Sequence, residues 1–378
     1  MYSRLINIDR SQSCFLLGPR GTGKTFWIRR FLSDCVYIDL LDDGTYRQLL
    51  THPGSLSTWI PPDNQNPIVI DEIQKIPALL DEVHRQIERF GRRFILTGSS
   101  ARKLRRGGAN LLAGRALMNE CYPLTMHEIG GGPDLQERLR YGCLPAVIDH
   151  SSPGRFLSAY VNTYLKEEIL AEGIVRNISN FARFMEAASF SQAQVLSMAA
   201  VSRECGVERK VVEQYFQILE DLLIATRLPV FTKRAKRSMT AHPKFFFFDV
   251  GIYRTLRPSG PLDEPESIEG VALESLMFQE MKALNHYLGW EYDFYFWRSR
   301  AKLEVDLVLY GPRGLHAIEI KRTGRLRSQD LKGLQAFLKD YPMAQGHFLY
   351  QGSENRFHDN LHVQPIEAFL GNIQEILQ

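Results

Sequence analysis

The chain has 378 residues, of which 44% are hydrophobic and 24% are charged, and its formal net charge is only +3. This length predicts two or three domains, and this composition is typical of a soluble globular protein. No apolar stretch reaches the roughly 18–20 residues that span a membrane, the first residues lack the apolar core of a signal peptide, and the five cysteines form no CxxC pair. We therefore expect a cytoplasmic protein without a membrane partner, disulfide bonds or a zinc site.

The first predicted strand, residues 14–17, leads directly into GPRGTGKT at 18–25, which has the pattern GxxxxGK[ST] of a phosphate-binding P-loop. Glycines at these positions let the backbone turn sharply and direct its N–H groups at phosphate oxygens. A helix that begins near Lys24 adds the partial positive charge of its N-terminus, while Lys24 can reach the β- and γ-phosphates and Thr25 can hold Mg²⁺. The residues that we expect to bind ATP are Gly18, Pro19, Arg20, Gly21, Thr22, Gly23, Lys24 and Thr25.

The apolar segment 67–72 ends in two carboxylates, Asp71 and Glu72, which is the arrangement of a Walker B strand. Asp71 is expected to hold the Mg²⁺ ion through water, and Glu72 is expected to polarise the attacking water as a general base. An acidic pair after a buried strand is common by itself, but together with the P-loop it predicts an ATPase.

Short apolar segments alternate with helical patterns in the first part of the chain, which predicts a parallel sheet with helices on both faces. The expected strands are residues 14–17, 36–40, 68–71, 93–97 and 116–121. Ligands of such sheets bind at the carboxyl ends of the strands, where both motifs fall. The fourth strand ends in TGSS at 97–100, so we expect Ser99 or Ser100 to sense the γ-phosphate; the alternative is a simple helix N-cap.

The middle of the chain is predicted to be mostly helical over 123–188 and then to contain a helix-turn-helix. The expected elements are a helix at 191–200, a turn at 201–207, a helix at 208–223 and two strands of a winged version at 224–229 and 244–249. Such a module binds DNA in some proteins and is purely structural in others.

A loop rich in proline, glycine and acidic residues, 257–268, is expected to mark a domain boundary. Beyond it, residues 304–310 and 315–321 alternate polar and apolar side chains on either side of a Gly-Pro-Arg-Gly turn. This pattern predicts a β-hairpin in the last domain.

Asp306 on the first strand of this hairpin can lie beside Glu319 and Lys321, which share one face of the second strand because they are two residues apart. This is the PD-(D/E)xK pattern of nucleases, although Val305 occupies the place of the usual proline. Two carboxylates can hold Mg²⁺ against a scissile phosphate, and the lysine can stabilise the developing charge. Glu274, on a helix predicted upstream, is a further candidate metal ligand; the alternative is a solvated helix face.

Three local runs of basic residues contrast with the small net charge of the whole chain. They are 102–106, 233–237, and the group Lys321, Arg322, Arg325 and Arg327. Each run lies beside one of the motifs above, so we expect DNA as a partner; the alternative for each run is a solvated surface.

Together, these motifs resemble a group of bacterial and archaeal AAA-type (AAA+) ATP-binding proteins with a C-terminal domain of unknown function. The segments that carry the resemblance cover almost all of the chain: GPRGTGKT at 18–25, VIDEIQKIP at 69–77, LTGSS at 96–100, LAGRA at 112–116, ILEDLLIATRLP at 218–229, KFFFFDVGIYR at 244–254, YFWRSRAKLEVDLVL at 295–309 and AIEIKRT at 317–323. The resemblance implies an α/β P-loop AAA+ ATPase core at 1–130, a helical and winged-helix region at 131–256, and a restriction-endonuclease-like α/β domain at 257–378. It also implies that Arg115 is an arginine finger reaching a neighbouring subunit, with an ordinary surface arginine as the alternative.

We therefore expect an ATPase whose nucleotide cycle controls engagement of DNA, with ATP and Mg²⁺ as cofactors, and we consider a Mg²⁺-dependent nuclease activity for the C-terminal domain. If Arg115 acts in trans, the active form is a homo-oligomer such as a ring. Two alternatives stay open: an ATP-driven DNA-binding switch or translocase without cleavage, and an ATPase that regulates a partner and has no role with nucleic acids.

Overall fold

The structure of this protein is a computed structural model, and it describes residues 2–99, 112, 114–171, 177–261 and 263–377. Two features of the sequence, Ser100 and the basic run 102–106, lie outside the described residues. None of the described helices is both long enough and apolar enough to cross a membrane.

Five parallel strands form a sheet at the start of the chain, as the sequence predicts. They are β1 (Ser13–Leu17), β2 (Val36–Asp39), β3 (Ile68–Asp71), β4 (Phe94–Gly98) and β5 (Ala116–Glu120), in the order β2-β3-β4-β1-β5. The helices that follow the first three strands are α1 (Lys24–Phe31), α2 (Asp43–Thr51) and α3 (Leu79–Phe90). Phe15 and Ile70 are buried in one hydrophobic cluster, and their neighbours Leu16 and Val69 are buried in another. Both faces of the sheet are therefore covered, as is usual for a parallel sheet.

The next part of the chain is mostly helical. Its helices are α4 (Met126–Ile129), α5 (Leu135–Tyr141), α6 (Pro145–Ile148), α7 (Pro153–Ala159), α8 (Lys166–Ala171) and α9 (Ile178–Ser189), with a π-helical stretch, Tyr160–Leu165, between α7 and α8. Proline begins both α6 and α7, because its fixed φ suits the first helical position and its missing N–H is not needed there.

Two helices joined by a short turn lie in the predicted region, but the first helix and the turn lie later than the sequence pattern suggested. Helices α10 (Met198–Cys205) and α11 (Arg209–Asp221) flank a turn at 206–208, so the helix predicted at 191–200 is wrong. The side chain of Ser197 accepts a hydrogen bond from the N–H of Ala200 and begins α10, and Gly206 ends it with a φ of +65°. A short strand, β6 (Gln194–Val195), lies in the segment before this cap.

A small antiparallel sheet accompanies the helix-turn-helix. It contains β6, β7 (Ala225–Leu228) and β8 (Lys244–Phe247) in the order β6-β8-β7, and α12 (Val250–Leu256) follows it. The connection between β7 and β8 reaches the C-terminal sheet, where Val230 bridges to Phe296 and Met239 bridges to Ser299. The middle and C-terminal parts are therefore joined by backbone hydrogen bonds as well as by side chains.

A long helix, α13 (Pro265–Leu288), begins inside the segment that the sequence assigned to a loop, and it leads into a mixed sheet. The strands of this sheet are β9 (Asp293–Arg298), β10 (Glu304–Gly311), β11 (Gly314–Lys321), β12 (Gln345–Tyr350), β13 (Arg356–His358) and β14 (Leu361–Pro365), in the order β13-β14-β12-β11-β10-β9. Two further helices are α14 (Lys332–Asp340) and α15 (Ile366–Leu377). The predicted hairpin is β10 and β11, which pair antiparallel across a two-residue turn.

Candidate functional site

The P-loop lies between the end of β1 and the start of α1, at the carboxyl edge of the parallel sheet. Its backbone has left-handed φ values of +86° at Gly21 and +90° at Gly23, which residues with side chains rarely adopt. Gly18 is needed for a different reason, since a Cβ atom there would lie 2.3 Å from the carbonyl oxygen of Cys121. The loop can approach the chain beyond β5 this closely only with glycine at position 18.

The side chain of Lys24 is buried inside the loop. Its Nζ donates hydrogen bonds to the carbonyl oxygens of Gly18, at 2.6 Å, and Pro19, at 3.1 Å. The ammonium group is thus held beside the N-terminus of α1, where its full positive charge adds to the partial charge of the helix end.

Asp71 ends β3 and is 1% exposed. Its carboxylate accepts hydrogen bonds from the hydroxyl groups of Thr25, at 3.0 Å, and of Tyr37 and Thr97. Thr25, which the P-loop pattern assigns to Mg²⁺, therefore contacts Asp71, which the Walker B pattern assigns to the same ion. A hydroxyl and a carboxylate side by side are oxygen donors of the kind that Mg²⁺ prefers, so these residues fit the metal.

Glu72, the residue after Asp71, has a left-handed φ of +62°. This conformation is uncommon for a residue with a side chain and is often found at functional sites. Its N–H donates to Thr97 Oγ1 at 3.2 Å, and its carboxylate accepts a hydrogen bond from the side-chain amide of Gln74. The same amide donates to Ser99 Oγ at 3.3 Å. The predicted base and the predicted sensor are therefore connected through one glutamine.

Gln74 is a residue of this site that the P-loop and Walker B patterns do not include. It lies in a single 3₁₀ turn, Ile73–Lys75, directly after β3, and it is 9% exposed. Gly98 leaves room for it, since a Cβ atom at Gly98 would lie 2.3 Å from Gln74 Oε1. The available signal in the sequence was an amide residue two positions after the predicted base.

A cavity of about 470 Å³ opens beside the P-loop. Its polar wall consists of Arg20, Lys24, Thr25 and Glu72, together with Tyr2, Arg4 and Asp149. The rest of the wall is mostly apolar and includes Phe26, Trp27, Phe31, Leu41, Leu124 and Pro145. The volume is within the range of about 300–1,000 Å³ that small-molecule sites occupy, and the two kinds of wall suit a phosphate chain and a ring, respectively.

Arg20, a predicted ATP-binding residue, and Arg115, the predicted arginine finger, both have partners within this chain. The guanidinium of Arg20 lies over the ring of Tyr164, 4.7 Å from its centroid, and the carbonyl of Arg20 accepts a hydrogen bond from Tyr160 at 2.7 Å. Arg115 forms an ion pair with Glu88 on α3. A role of Arg115 in a neighbouring subunit therefore stays a prediction.

Arg4, which no motif includes, joins the P-loop to helix α13. Its buried guanidinium donates to the carbonyl oxygens of Thr22 and Tyr122, each at 2.7 Å. It also donates to Glu128, at 2.9 Å, and to the hydroxyl of Tyr287 on α13, at 2.9 Å. The position of the P-loop is thus tied to a helix that lies more than two hundred residues away in sequence.

Helix α13 makes two further contacts with the N-terminal region of the molecule. The carboxylate of Glu280 accepts hydrogen bonds from the N–H of Met126 at 2.8 and 3.0 Å. Nε2 of His286 accepts one from the N–H of Glu120 at 2.9 Å. Burial raises the pKa of Glu280 from 4.5 to about 7, although the Met126 hydrogen bond opposes the shift.

The C-terminal hairpin brings together the three residues of the nuclease pattern. Leu307 is paired with Ile318, so Asp306 and Glu319 are on adjoining positions of the two strands. Lys321 Nζ lies 2.6 Å from Glu319 Oε1 and 3.8 Å from Asp306 Oδ2, and the same Asp306 oxygen accepts a hydrogen bond from the N–H of Ile320 at 2.8 Å. Asp306 and Glu319 are both buried.

A second lysine, Lys244 of β8, lies among the carboxylates of this region. Its Nζ is 2.8 Å from Glu274 Oε1, 2.7 Å from Glu304 Oε1 and 3.5 Å from Asp306 Oδ1, and its side chain is 1% exposed. We refer to Glu274, Glu304, Asp306 and Glu319 as the C-terminal carboxylate cluster. Neither Lys244 nor Glu304 belongs to the nuclease pattern, and both became apparent only from the fold.

The pKa shifts of these side chains agree with the contacts between the two lysines and the carboxylates. Burial alone would lower the pKa of Lys244, but the carboxylates of Glu274, Asp306 and Glu304 outweigh it and raise the pKa. Burial opposes ionisation of Asp306 as well, yet Lys321 and Lys244 hold its pKa below the usual value. Burial raises the pKa values of Glu274 and Glu319.

These residues do not fit a metal centre as the sequence predicted. Among the residues that the structure describes, no group of three or more His, Cys, Asp or Glu side chains is arranged to hold a metal ion. Glu274 and Asp306 are turned toward the ammonium of Lys244, and Glu319 is turned toward that of Lys321. We therefore derive no metal-dependent step at this cluster.

The sheet order, the P-loop and the paired carboxylates define the class of the N-terminal region, and comparison with known families agrees. Residues 10–130 match the model of an AAA domain. Residues 132–263 and 269–369 match two models described as domains of unknown function, DUF8612 and DUF4143. The N-terminal region of this chain is thus similar to an AAA domain in its sheet, its motifs and the family model that it matches.

Similar proteins are known but are themselves uncharacterised. Proteins of Mycobacterium bovis and Mycobacterium tuberculosis are each 25% identical over 98% of this chain and 84% of their own length. A protein of Methanocaldococcus jannaschii is 20% identical over 86% of this chain and 78% of its own length.

Two solved structures have a low similarity to this one. The ORC1 protein of Aeropyrum pernix, solved in complex with DNA, is 14% identical, with a TM-score of 0.24 over 65% of this chain and 86% of that chain. Protein VC1899 of Vibrio cholerae is 11% identical, with a TM-score of 0.24 over 97% of both chains.

Proposed function

We propose that this protein binds and hydrolyses ATP at the P-loop and uses its nucleotide cycle to control contact with DNA. The observation that carries the ATPase proposal is the contact of Thr25 with Asp71, next to Lys24 and Glu72 around a single cavity. Mg²⁺, when bound with the nucleotide by Thr25 and Asp71, would neutralise charge on the phosphates.

Each residue of the site then has a distinct task. Lys24 exchanges the carbonyl oxygens of Gly18 and Pro19 for phosphate oxygens, which carry a negative charge and bind an ammonium more strongly. Glu72 orients the attacking water and accepts its proton. Gln74 holds the carboxylate of Glu72 in position and connects it to Ser99, which contacts the γ-phosphate.

Measurements of ATP binding and turnover test this proposal directly. Lys24→Ala should lose nucleotide binding, because the ammonium that compensates the phosphate charge is gone. Glu72→Gln should keep binding and lose hydrolysis, because an amide cannot accept the proton. Unchanged turnover in both variants would reject the assignment of the site.

A basic surface beside the C-terminal sheet supports the DNA half of the proposal. The N–H of Arg300 donates to the carbonyl of Ser238 at 2.8 Å, so the exposed β7–β8 connection lies along the turn between β9 and β10. We define the basic patch as Arg234, Lys236, Arg300 and Lys302, which are all exposed and come from these two neighbouring segments. Clustered arginines and lysines are the side chains that contact a phosphate backbone.

The helix-turn-helix offers a second surface of the same kind. Arg209 and Lys210 are exposed in the first turn of α11, which is the end of a recognition helix that enters a DNA groove in proteins of this type. The chain thus has two candidate surfaces for DNA.

The salt dependence of DNA affinity tests this half. Lys236→Glu should weaken binding and reduce the slope of log K against log salt concentration, because fewer counterions are released. Arg47→Glu, the same charge change at an exposed helix position of the ATPase domain, is the matched control and should leave the slope unchanged. Negligible and salt-insensitive affinity of the wild type would instead favour the ATPase that regulates a partner.

Of the two hypotheses for the C-terminal domain, the geometry favours a DNA-binding switch or translocase without cleavage, because Lys244 is seated among the predicted metal ligands. Plasmid, linear and forked DNA incubated with Mg²⁺ or Mn²⁺, with and without ATP, should stay intact. Cleavage that disappears in Lys321→Ala would establish the nuclease instead.

The oligomeric state follows from the role of Arg115 and is tested separately. If Arg115 completes the site of a neighbouring subunit, light scattering should detect an oligomer with ATP, and Arg115→Ala should lose turnover while keeping nucleotide binding. A strict monomer with full activity would refute the arginine finger.

A further inference from the structure

The C-terminal carboxylate cluster receives its central cation from another part of the fold. Lys244 is the first residue of β8, whose backbone pairs with β6 and β7 of the middle sheet. Its side chain nevertheless ends among carboxylates of α13 and β10. An ammonium group has three N–H donors, and here three carboxylates surround it within 3.5 Å, so its hydrogen-bonding capacity is filled.

Three of the carboxylate oxygens that a divalent ion would use are already engaged. Asp306 Oδ1 faces Lys244, while its Oδ2 accepts the N–H of Ile320. Glu319 Oε1 contacts Lys321. Within the described part of this cluster, Glu319 Oε2 is the one carboxylate oxygen that is buried without a hydrogen-bond partner.

The charges of the cluster are also close to balance without a metal. Four carboxylates face three cationic side chains, because Arg298 lies 3.1 Å from Glu304 in addition to the two lysines. Adding a divalent cation would change the formal balance from one excess negative charge to one excess positive charge, so a metal would bring this buried group no closer to neutrality. Lys244 would have to leave first, and its side chain is almost fully enclosed.

We propose that the ammonium group of Lys244 is the resident cation of the C-terminal carboxylate cluster, and that the cluster fastens the middle sheet to α13 and the C-terminal sheet instead of binding a divalent metal. A group that has a catalytic pattern in the sequence thereby serves as a buried ionic joint. This inference concerns the structure of the cluster and does not depend on ATP hydrolysis or on DNA binding.

Binding of Mn²⁺ to the full-length, nucleotide-free protein, followed by electron paramagnetic resonance, tests the inference. The wild type and Asp306→Asn should take up the same amount of Mn²⁺, because the cluster holds none. Lys244→Met, which keeps the length of the side chain and removes its charge, should gain one bound Mn²⁺ per chain, and Lys244→Met with Asp306→Asn should lose it again. Bound Mn²⁺ in the wild type that disappears in Asp306→Asn would overturn the proposal.

A measurement on the wild type alone covers the case in which Lys244→Met does not fold. An amine-reactive reagent followed by peptide mass spectrometry should leave Lys244 unmodified both with and without Mn²⁺, whereas the exposed Lys302 serves as the reactive control. If Mn²⁺ makes Lys244 reactive, the metal displaces the lysine and the inference is wrong. Neither measurement uses ATP turnover, so a result that overturns this inference can be distinguished from one that rejects the proposed ATPase.

Discussion

The P-loop and the C-terminal carboxylate cluster each hold a buried lysine near acidic residues, but the lysines have opposite partners. Lys24 donates to the carbonyl oxygens of Gly18 and Pro19, which are neutral. Lys244 is surrounded by ionisable carboxylates, which are much stronger partners for an ammonium. An incoming phosphate can therefore replace the partners of Lys24, whereas it would have to compete with full negative charges for Lys244. The type of partner, more than the presence of a lysine and carboxylates, separates an anion-binding site from a structural ion cluster.

Substitution of one carboxylate in each site gives the largest expected contrast. Glu72→Gln should lower ATP turnover by roughly 10²–10⁴-fold with nucleotide affinity kept, because the general base is lost. Glu319→Gln, the same chemical change in the C-terminal cluster, should leave turnover within about twofold. Steady-state hydrolysis and nucleotide titration measure both, and an equal loss in the two variants would break the comparison.

Removal of Arg4 should have the next largest effect, on stability. Arg4→Met leaves the buried carboxylate of Glu128 without its cation, which costs about 3–5 kcal/mol. Arg10→Met is the matched control, because its ion pair with Asp34 is exposed and is expected to contribute about 0–1 kcal/mol. Thermal unfolding should show a drop of several degrees for Arg4→Met and little change for Arg10→Met, and similar shifts would contradict the role of Arg4.

A methyl group added at Gly18 should change the P-loop without affecting the C-terminal carboxylate cluster, and this difference sharpens the comparison. Gly18→Ala places a Cβ atom against the carbonyl of Cys121, so the loop must move and nucleotide affinity should fall by about tenfold or more. Gly270→Ala on α13 is the control, since its Cβ atom would have no heavy atom within 4 Å. Nucleotide titration should show normal affinity for Gly270→Ala; normal affinity for Gly18→Ala would show that the close approach is unimportant.

The smallest expected effect concerns Glu280 on α13, between the two sites. Because burial raises its pKa from 4.5 to about 7, the folded state binds a proton more readily than the unfolded state. The resulting stability is complete below pH 4.5 and is lost as the pH rises through 7. Glu280→Gln should therefore make the unfolding temperature less dependent on pH in this interval, and an unchanged slope would reject this contribution.

How much of each site could be predicted from the sequence depended on how close together its residues lie along the chain. The P-loop and its strand are consecutive residues, so the glycines, Lys24 and Thr25 were predictable from spacing alone. The later start of α10 was not predictable from spacing, because the alanines, glutamines, Leu196 and Met198 at 191–200 suit a helix. The start was decided by the cap at Ser197. The contact of Lys244 with Asp306 joins residues 62 positions apart on strands of different sheets, and no periodicity within either strand encodes it.

Helix α13 has a practical consequence for anyone who divides this chain into fragments. Its 24 residues extend for about 36 Å, and its first half and its last turn contact different neighbours: Glu274 contacts Lys244, and Tyr287 contacts Arg4. A fragment that stops near residue 130 would keep every nucleotide-binding motif but would lose Tyr287, one of the partners of Arg4, and Glu280, the partner of the Met126 N–H. The ATPase region therefore ends near residue 130 along the sequence, but in space its last supporting residues are at the end of α13.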